Sequence, residues 1–352
     1  MTVPAARFAG PDVARAVAML GVVVMNYHGY LIHRGARRDG SPAWLYDAFD
    51  PWAGPLATRF AATFVLTAGV GVTLLTRSRR PGVSWVLVRR GLLLFGGGLL
   101  FDFVWEGTIL TYYGAMFVLA AALWQLRSRW LVLIGVAAAV AGFGLRWYVL
   151  ERQLDGHATT WLTAPGPRSP AGLVIDVFVN GTHPLLPWLA FLCPGMILGR
   201  YLHTGAWRPA AVLGGFGLFT VATMVSVGAT GPRLGVLLAS DPWSRSLVYT
   251  ASALGTALVA FAVLMWLADT FARSATIDWL RRAGQLTLTI YVAHALVFNL
   301  LVDWLGWVRP DGIATALVFA LLVWAVALLA GAAWQRRFGR GPAEWLYRQL
   351  ST

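Results

Sequence analysis

The sequence predicts an all-α fold, a polytopic transmembrane bundle of about ten spanning helices forming one domain over residues 1–352. Three observations predict it. Of the 352 residues, 58% are hydrophobic and only 12% are charged, whereas a soluble domain carries about 25% charge. Apolar runs of roughly 20 residues, each able to cross about 30 Å of hydrocarbon as a helix, recur along the whole chain. The basic residues are gathered between those runs, which is how membrane topology is encoded.

The first run, 12–30, passes into the stretch VVVMNYHGYLIH at 22–33, where an apolar helix ends in an amide, a phenol and two imidazoles. The second, 55–76, follows a polar loop ending in WLYDAFDPW. The third, 83–102, comes after RSRRPG and contains FGGGLLF at 95–101; glycines inside a span suit close helix packing better than phosphate binding. An acidic link with Asp102 and Glu106 leads into the fourth, 108–126, and Arg127 and Arg129 separate it from the fifth, 130–149. The longest connection follows, and within it 171–180 reads as an interfacial or re-entrant helix or as an eleventh crossing. The sixth, 185–203, holds Cys193, the only cysteine. A lone cysteine excludes an internal disulfide and a cysteine zinc cluster, and here it reads as a small buried filler. The seventh and eighth runs are 209–228 and 247–268; the ninth, 284–304, carries His294 near its middle; the tenth, 312–334, leads to four C-terminal arginines. Most of the 18 tryptophans fall at span ends, as an aromatic belt does. No internal repeat divides the ten spans into matching halves, which weakens a transporter built on inverted repeats. The first run leads into further spans, unlike a cleavable signal peptide.

Charge gives the orientation. All 28 basic residues are arginine, and the net charge is +13. With both termini on one face, that face takes 18 arginines, from Arg7 and Arg15 to the C-terminal four, and only four acids: Asp12, Asp269, Asp278 and Glu344. The other face takes 10 arginines and 11 acids. The positive-inside rule makes the termini cytoplasmic, so the histidine-rich end of the first span faces outward. Short arginine clusters between apolar runs also argue against nucleic acid as a partner.

Asp12 and Arg15, three apart, share a helix face. Arg15 and Asn26, eleven apart, stand on one stripe about three turns long, and that stripe faces the bundle interior because polar groups leave lipid. His28 and His33 follow at the outer boundary, with Asp47 and Asp50 beyond the loop. Imidazoles beside carboxylates suit general acid–base work; the plainer reading is interfacial histidines and a solvated Asp47. His294 in mid-span is a functional candidate by default, or a neutral ring bonded to a neighbouring helix. Asp102, Glu106, Asn180 and His183 line an outer vestibule or are merely solvated. There is no GxxxxGK[ST] loop, no HExxH and no GxSxG, and no metal is expected.

These residues bring a resemblance with them. PDVARAVAMLGVVVMNYHGY resembles the first-helix signature of the transmembrane acyltransferase superfamily, which includes heparan-α-glucosaminide N-acetyltransferase-like and YeiB-like bacterial membrane proteins; Asp12, Arg15 and Asn26 match it, with Ala16 where a Gly is usual. DAFDPWAGPLATRFAATFVLTAGVGVTLL is similar to the second helix, through Asp47, Pro51 and Gly69. TILTYYGAMFVLAAAL, LPWLAFLCPGMILGR and GQLTLTIYVAHALV resemble three later helices, placing Arg200 and His294 on their motifs. The five stretches touch about a third of the chain and come in family order.

The resemblance implies a multi-pass protein of the bacterial inner membrane. It would move an acyl group from cytoplasmic acetyl-CoA or another acyl-CoA to a hydroxyl or amine of a saccharide or glycolipid acceptor outside. Its other partners would be membrane lipid and, as in relatives, a second copy of the chain. His28 or His33 would be the base, oriented by Asp47; Asn26 would donate to the thioester oxygen. Arg15, Arg200, Arg89, Arg90 and His294 would serve the acyl-CoA, whose phosphates would rest near the arginines of the 77–90 or 281–282 clusters. Two other readings stand beside this one: a transporter or flippase for a lipid-linked saccharide, with His294, Asp102 and Glu106 as its polar pathway, and a non-catalytic membrane partner.

Overall fold

The computed structural model describes residues 8–164 and 169–351. Arg7 and Arg168, counted above among the arginines of the two faces, lie outside them. The described residues form helices and no strands. In order these are α1 (Gly10–His33), α2 (Ala43–Phe49), α3 (Arg59–Thr76), α4 (Val83–Phe101), α5 (Leu110–Leu123), α6 (Ser128–Leu154), α7 (Thr160–Thr163) and α8 (Pro170–Ile175, extended by a π turn to Asn180). There follow α9 (Leu185–Tyr201), α10 (Trp207–Gly228), α11 (Pro232–Leu237), α12 (Leu247–Thr270), α13 (Ala275–Gly284), α14 (Thr287–Phe298, extended by a π turn to Trp304), α15 (Ile313–Phe338) and α16 (Pro342–Ser351).

Eight of these are long and apolar enough to cross a membrane, and nine if the bent pair Pro170–Asn180 and Leu185–Tyr201 forms one broken span. The protein is therefore a polytopic helical bundle. The expected fourth span is present as α5, but with 14 residues it rises only about 21 Å. The 171–180 segment is helical and meets α9 at 54°. The ninth span begins at Thr287, because the residues before it form a separate helix, α13. There Asp278 accepts from Arg281 at 2.5 Å and from Arg282 at 2.7 Å, the i,i+3 and i,i+4 spacing that supports an exposed helix.

Small residues set how closely the helices approach. A Cβ on Gly195 would overlap the backbone of Leu66, and one on Gly69 the backbone of Leu192 and Met196, so α3 and α9 pack backbone to backbone. In the 95–101 run only Gly98 has this role, against Thr111 of α5; Gly96 and Gly97 face open space. Cys193 is buried and free, as expected of a filler. α1 runs through the centre, packed on α3, α12, α13, α14 and α15.

Both ends of the described chain lie at one end of the bundle. Asp12 of α1 accepts from Gln285 at 3.1 Å, Glu344 of α16 accepts from Leu288 at 2.7 Å, and Tyr347 donates to the carbonyl of Arg90. This is the arginine-rich end, the one the charge pattern predicts to be cytoplasmic. At the other end Arg34 grips Asp303 with two bonds of 2.8 and 2.7 Å.

Candidate functional site

At the Arg34–Asp303 end a cavity of about 500 Å³ opens beside α1. Its α1 wall consists of Met19, Val22, Met25, Asn26, Gly29, Tyr30, His33 and Arg34. These positions recur at three- and four-residue steps because 3.6 residues make a turn. From His33 to Met19 is 14 residues, about 21 Å at 1.5 Å each, so the cavity reaches well into the bundle. Its upper part is polar and aromatic, with Glu106, His183, Trp52, Trp105 and Trp243; its lower part is apolar, with Phe60, Ala61, Phe64 and Ile109. The mouth is braced by Tyr30, whose ring stacks on Trp105 at 3.8 Å and whose hydroxyl donates to the Glu106 carbonyl.

Asn26 is the polar group deepest on the α1 wall. Its amide meets Nε2 of His294 at 3.1 Å. His294 is fully buried, and its Nδ1 bonds the Tyr291 carbonyl. A carbonyl only accepts, so Nδ1 carries the ring hydrogen and the lone pair on Nε2 takes a hydrogen from the Asn26 Nδ2. Tyr27 donates to the backbone carbonyl of His294 at 2.8 Å, which ties α1 to α14. His294 does not itself line the cavity; it fixes the amide that does.

The two outer imidazoles separate. His33 is exposed and lines the mouth, its ring edge-on to Trp52 at 5.3 Å. His28 is buried and turned away; its Nδ1 bonds the Phe49 carbonyl at 2.9 Å and fastens the α2 segment to α1. Asp47, expected to orient one of them, does not. It is exposed and lies 3.8 Å from Arg38, because α2 points it out of the site. The carboxylate that shares the cavity with His33 is Glu106. His183 also lines the cavity, with Nδ1 buried and unpartnered among the described residues.

The expected acyl-CoA residues are dispersed. Arg200 donates to the carbonyls of Leu126 at 2.7 Å and Trp124 at 3.2 Å and to Ser128 at 3.1 Å. It closes the C-terminus of α5, whose last carbonyls lack helical partners, so its guanidinium is spent on structure. Arg89 is exposed over Trp85. Arg90 lies over Tyr347 of α16. Arg15 pairs with Asp12, one turn below Met19. Of the expected transport pathway, Asp102 accepts from the backbone of Gly107 at 2.9 Å and shapes the turn before α5, while His294 is sealed in the core; the two do not join into one polar channel.

Residues 192–352 match the family model described as a protein of unknown function, DUF418. That region includes Arg200 and His294 but not α1. Over its length the chain is similar to the uncharacterized protein YeiB of Escherichia coli (strain K12), 26% identical over 388 residues that cover 97% of this chain and 95% of that protein.

Proposed function

We propose that the protein is a membrane acyltransferase, moving an acyl group, acetyl in the simplest case, from cytoplasmic acyl-CoA to a hydroxyl or amine of a saccharide or glycolipid on the outer side. The observation that carries this reading is the single cavity wall on α1 that offers both an exposed imidazole, His33, and a fixed amide, Asn26. In the reaction His33 takes the acceptor proton as the acceptor atom attacks the thioester carbonyl. The new C–O or C–N bond forms, the C–S bond breaks, and the proton passes to the departing thiolate. Base catalysis of this kind contributes about 10²–10⁴-fold. One Asn26 N–H is held by His294; the other is free to donate to the developing oxyanion, a role worth about 10²-fold or more. The aromatic mouth suits a sugar ring. His294 acts through Asn26 and is a positioning residue.

The donor enters from below. Met19 is four residues from Arg15 on the same stripe, about 6 Å of helix, so the side-chain layer of Met19 and Phe64 must part to admit the pantetheine arm. Transfer from labelled acyl-CoA to a saccharide acceptor by the purified protein tests the reading. His33→Ala and Asn26→Ala are expected to lose 10²-fold or more, while His28→Gln keeps its turnover. Wild type that turns over no acyl-CoA, or His33→Ala with full activity, overturns it. A cavity open on one face is also the outward-open form of a transporter; saccharide flux in proteoliposomes without acyl-CoA would favour that second reading.

A further inference from the structure

A second cavity, about 350 Å³, lies at the same end between α6, the α7–α8 region and the start of α9. Its walls include Leu145, Val149, Leu162 and Leu186, yet two arginines, Arg146 and Arg245, also line it, and among the described residues no carboxylate does. Arg146 stands 18 residues into α6 from Ser128, about 27 Å along the axis, which is the outer boundary of a hydrocarbon core about 30 Å thick. Trp147 and Tyr148 beside it are exposed, as interfacial residues are.

Arg146 forms no ion pair among the described residues, while Arg245 is a second charge fixed beside it by backbone carbonyls. The Nε of Arg146 is buried with no hydrogen-bond partner among the described residues, and an unpaired buried donor is costly. Arg245 adopts a left-handed backbone, φ 50°, uncommon for a side-chain-bearing residue. Its guanidinium is held by the carbonyls of Val179, Asn180 and Gly181. Burial lowers its pKa to about 10; Tyr112, Tyr249 and Asp176 push against that, and the charge of Arg146 pushes with it. The two cations therefore work against each other across the cavity, and an anion between them relieves both. A planar guanidinium fork matches phosphate oxygens in pairs.

We propose that this cavity binds the phosphate of an outer-leaflet lipid. Trp243 lines both cavities, so a headgroup passing over it reaches His33. On the acyltransfer reading, and resting on it, that path would deliver a lipid-linked acceptor to the base.

The test uses the full chain in alkyl maltoside micelles, which contain no phosphate, titrated with phosphatidic acid or with diacylglycerol of the same tails, bound lipid being counted by native mass spectrometry. Wild type is expected to hold phosphatidic acid and not diacylglycerol. Arg146→Gln should weaken binding about tenfold or more, the scale of one charge-assisted contact. Arg146→Lys, which keeps the charge, should bind between the two, and Arg233→Gln, at an ion pair outside the cavity, should bind as wild type. Equal retention by wild type and Arg146→Gln overturns the proposal. So does inorganic phosphate binding as tightly as the lipid, which would make the ligand a free anion. Binding is read without turnover, so a positive result stands even if no acyl-CoA is consumed, and acyl transfer with unchanged lipid binding in Arg146→Gln would sink this site alone.

Discussion

The Asn26–His294 contact can be tested without knowing any substrate. The two residues are 268 apart in sequence and 3.1 Å apart in space, in a setting where His294 has no exposure. In a soluble core such a bond adds about 0.5–1.5 kcal/mol net, and leaving a buried partner unpaired costs about 1–3 kcal/mol. Between membrane helices the measured coupling is smaller, about 0.6 kcal/mol on average and about 1.7 at most, because the separated helices find other partners. The expected coupling is therefore about 0.6–1.7 kcal/mol. Asn26→Ala, His294→Leu and the double variant should be unfolded reversibly in mixed micelles by increasing the denaturing detergent. The bond from Tyr27 ends on the His294 backbone, so it survives both substitutions and keeps α1 against α14. The double variant should be less destabilised than the sum of the singles by the coupling above. Additivity within about 0.3–0.5 kcal/mol, the range of independent sites, would refute a bond between the two side chains and with it the positioning role of His294.

Gly195→Ala sets a Cβ against the Leu66 backbone and should destabilise by about 1–3 kcal/mol, the scale of overpacking, read as a lowered melting temperature in detergent. Arg200→Gln should lower the melting temperature by removing the closure of α5, yet leave the KM for acyl-CoA unchanged; a selective rise in KM would restore its role toward acyl-CoA. Partial burial works to raise the pKa of Asp39, but hydrogen bonds from Ser41, Tyr46 and the Ala314 N–H outweigh it and bring the value down to about 2. A depressed carboxylate stabilises above its unfolded value of 3.8 and loses that contribution as pH falls towards about 2. Hydrogen exchange at the start of α15 should therefore accelerate across that window, and Asp39→Asn should exchange fast already at neutral pH with no further change through it.

Much of the bundle was legible because a span needs only length and apolarity, properties local to about 20 residues. α5 was legible as an apolar run but not as a short helix, since its ends are set by Asp102 turning the chain before it and Arg200 closing it from α9. The site was legible along α1 and illegible across helices. Asn26 and Arg15 follow from their spacing; the His294 partner, the Glu106 side of the cavity and the Asp39 tether to α15 depend on contacts 76 to 275 residues apart, for which no local pattern exists.

The choice between His28 and His33 is different, because the signal was present in the sequence. At about 100° per residue, His28 stands two residues, or about 200°, around the helix from Asn26, nearly opposite it. His33 stands seven residues on, about 700°, which returns it to within about 20° of the same stripe. If Asn26 faces the interior cavity, His33 must face it and His28 cannot, and that is where the two imidazoles lie. The same rule extends inward: Val22, Met19 and Arg15 lie on that stripe below Asn26, so a donor rising from the arginine-rich end meets Arg15 first, the Met19 layer next, and the amide and the imidazole last.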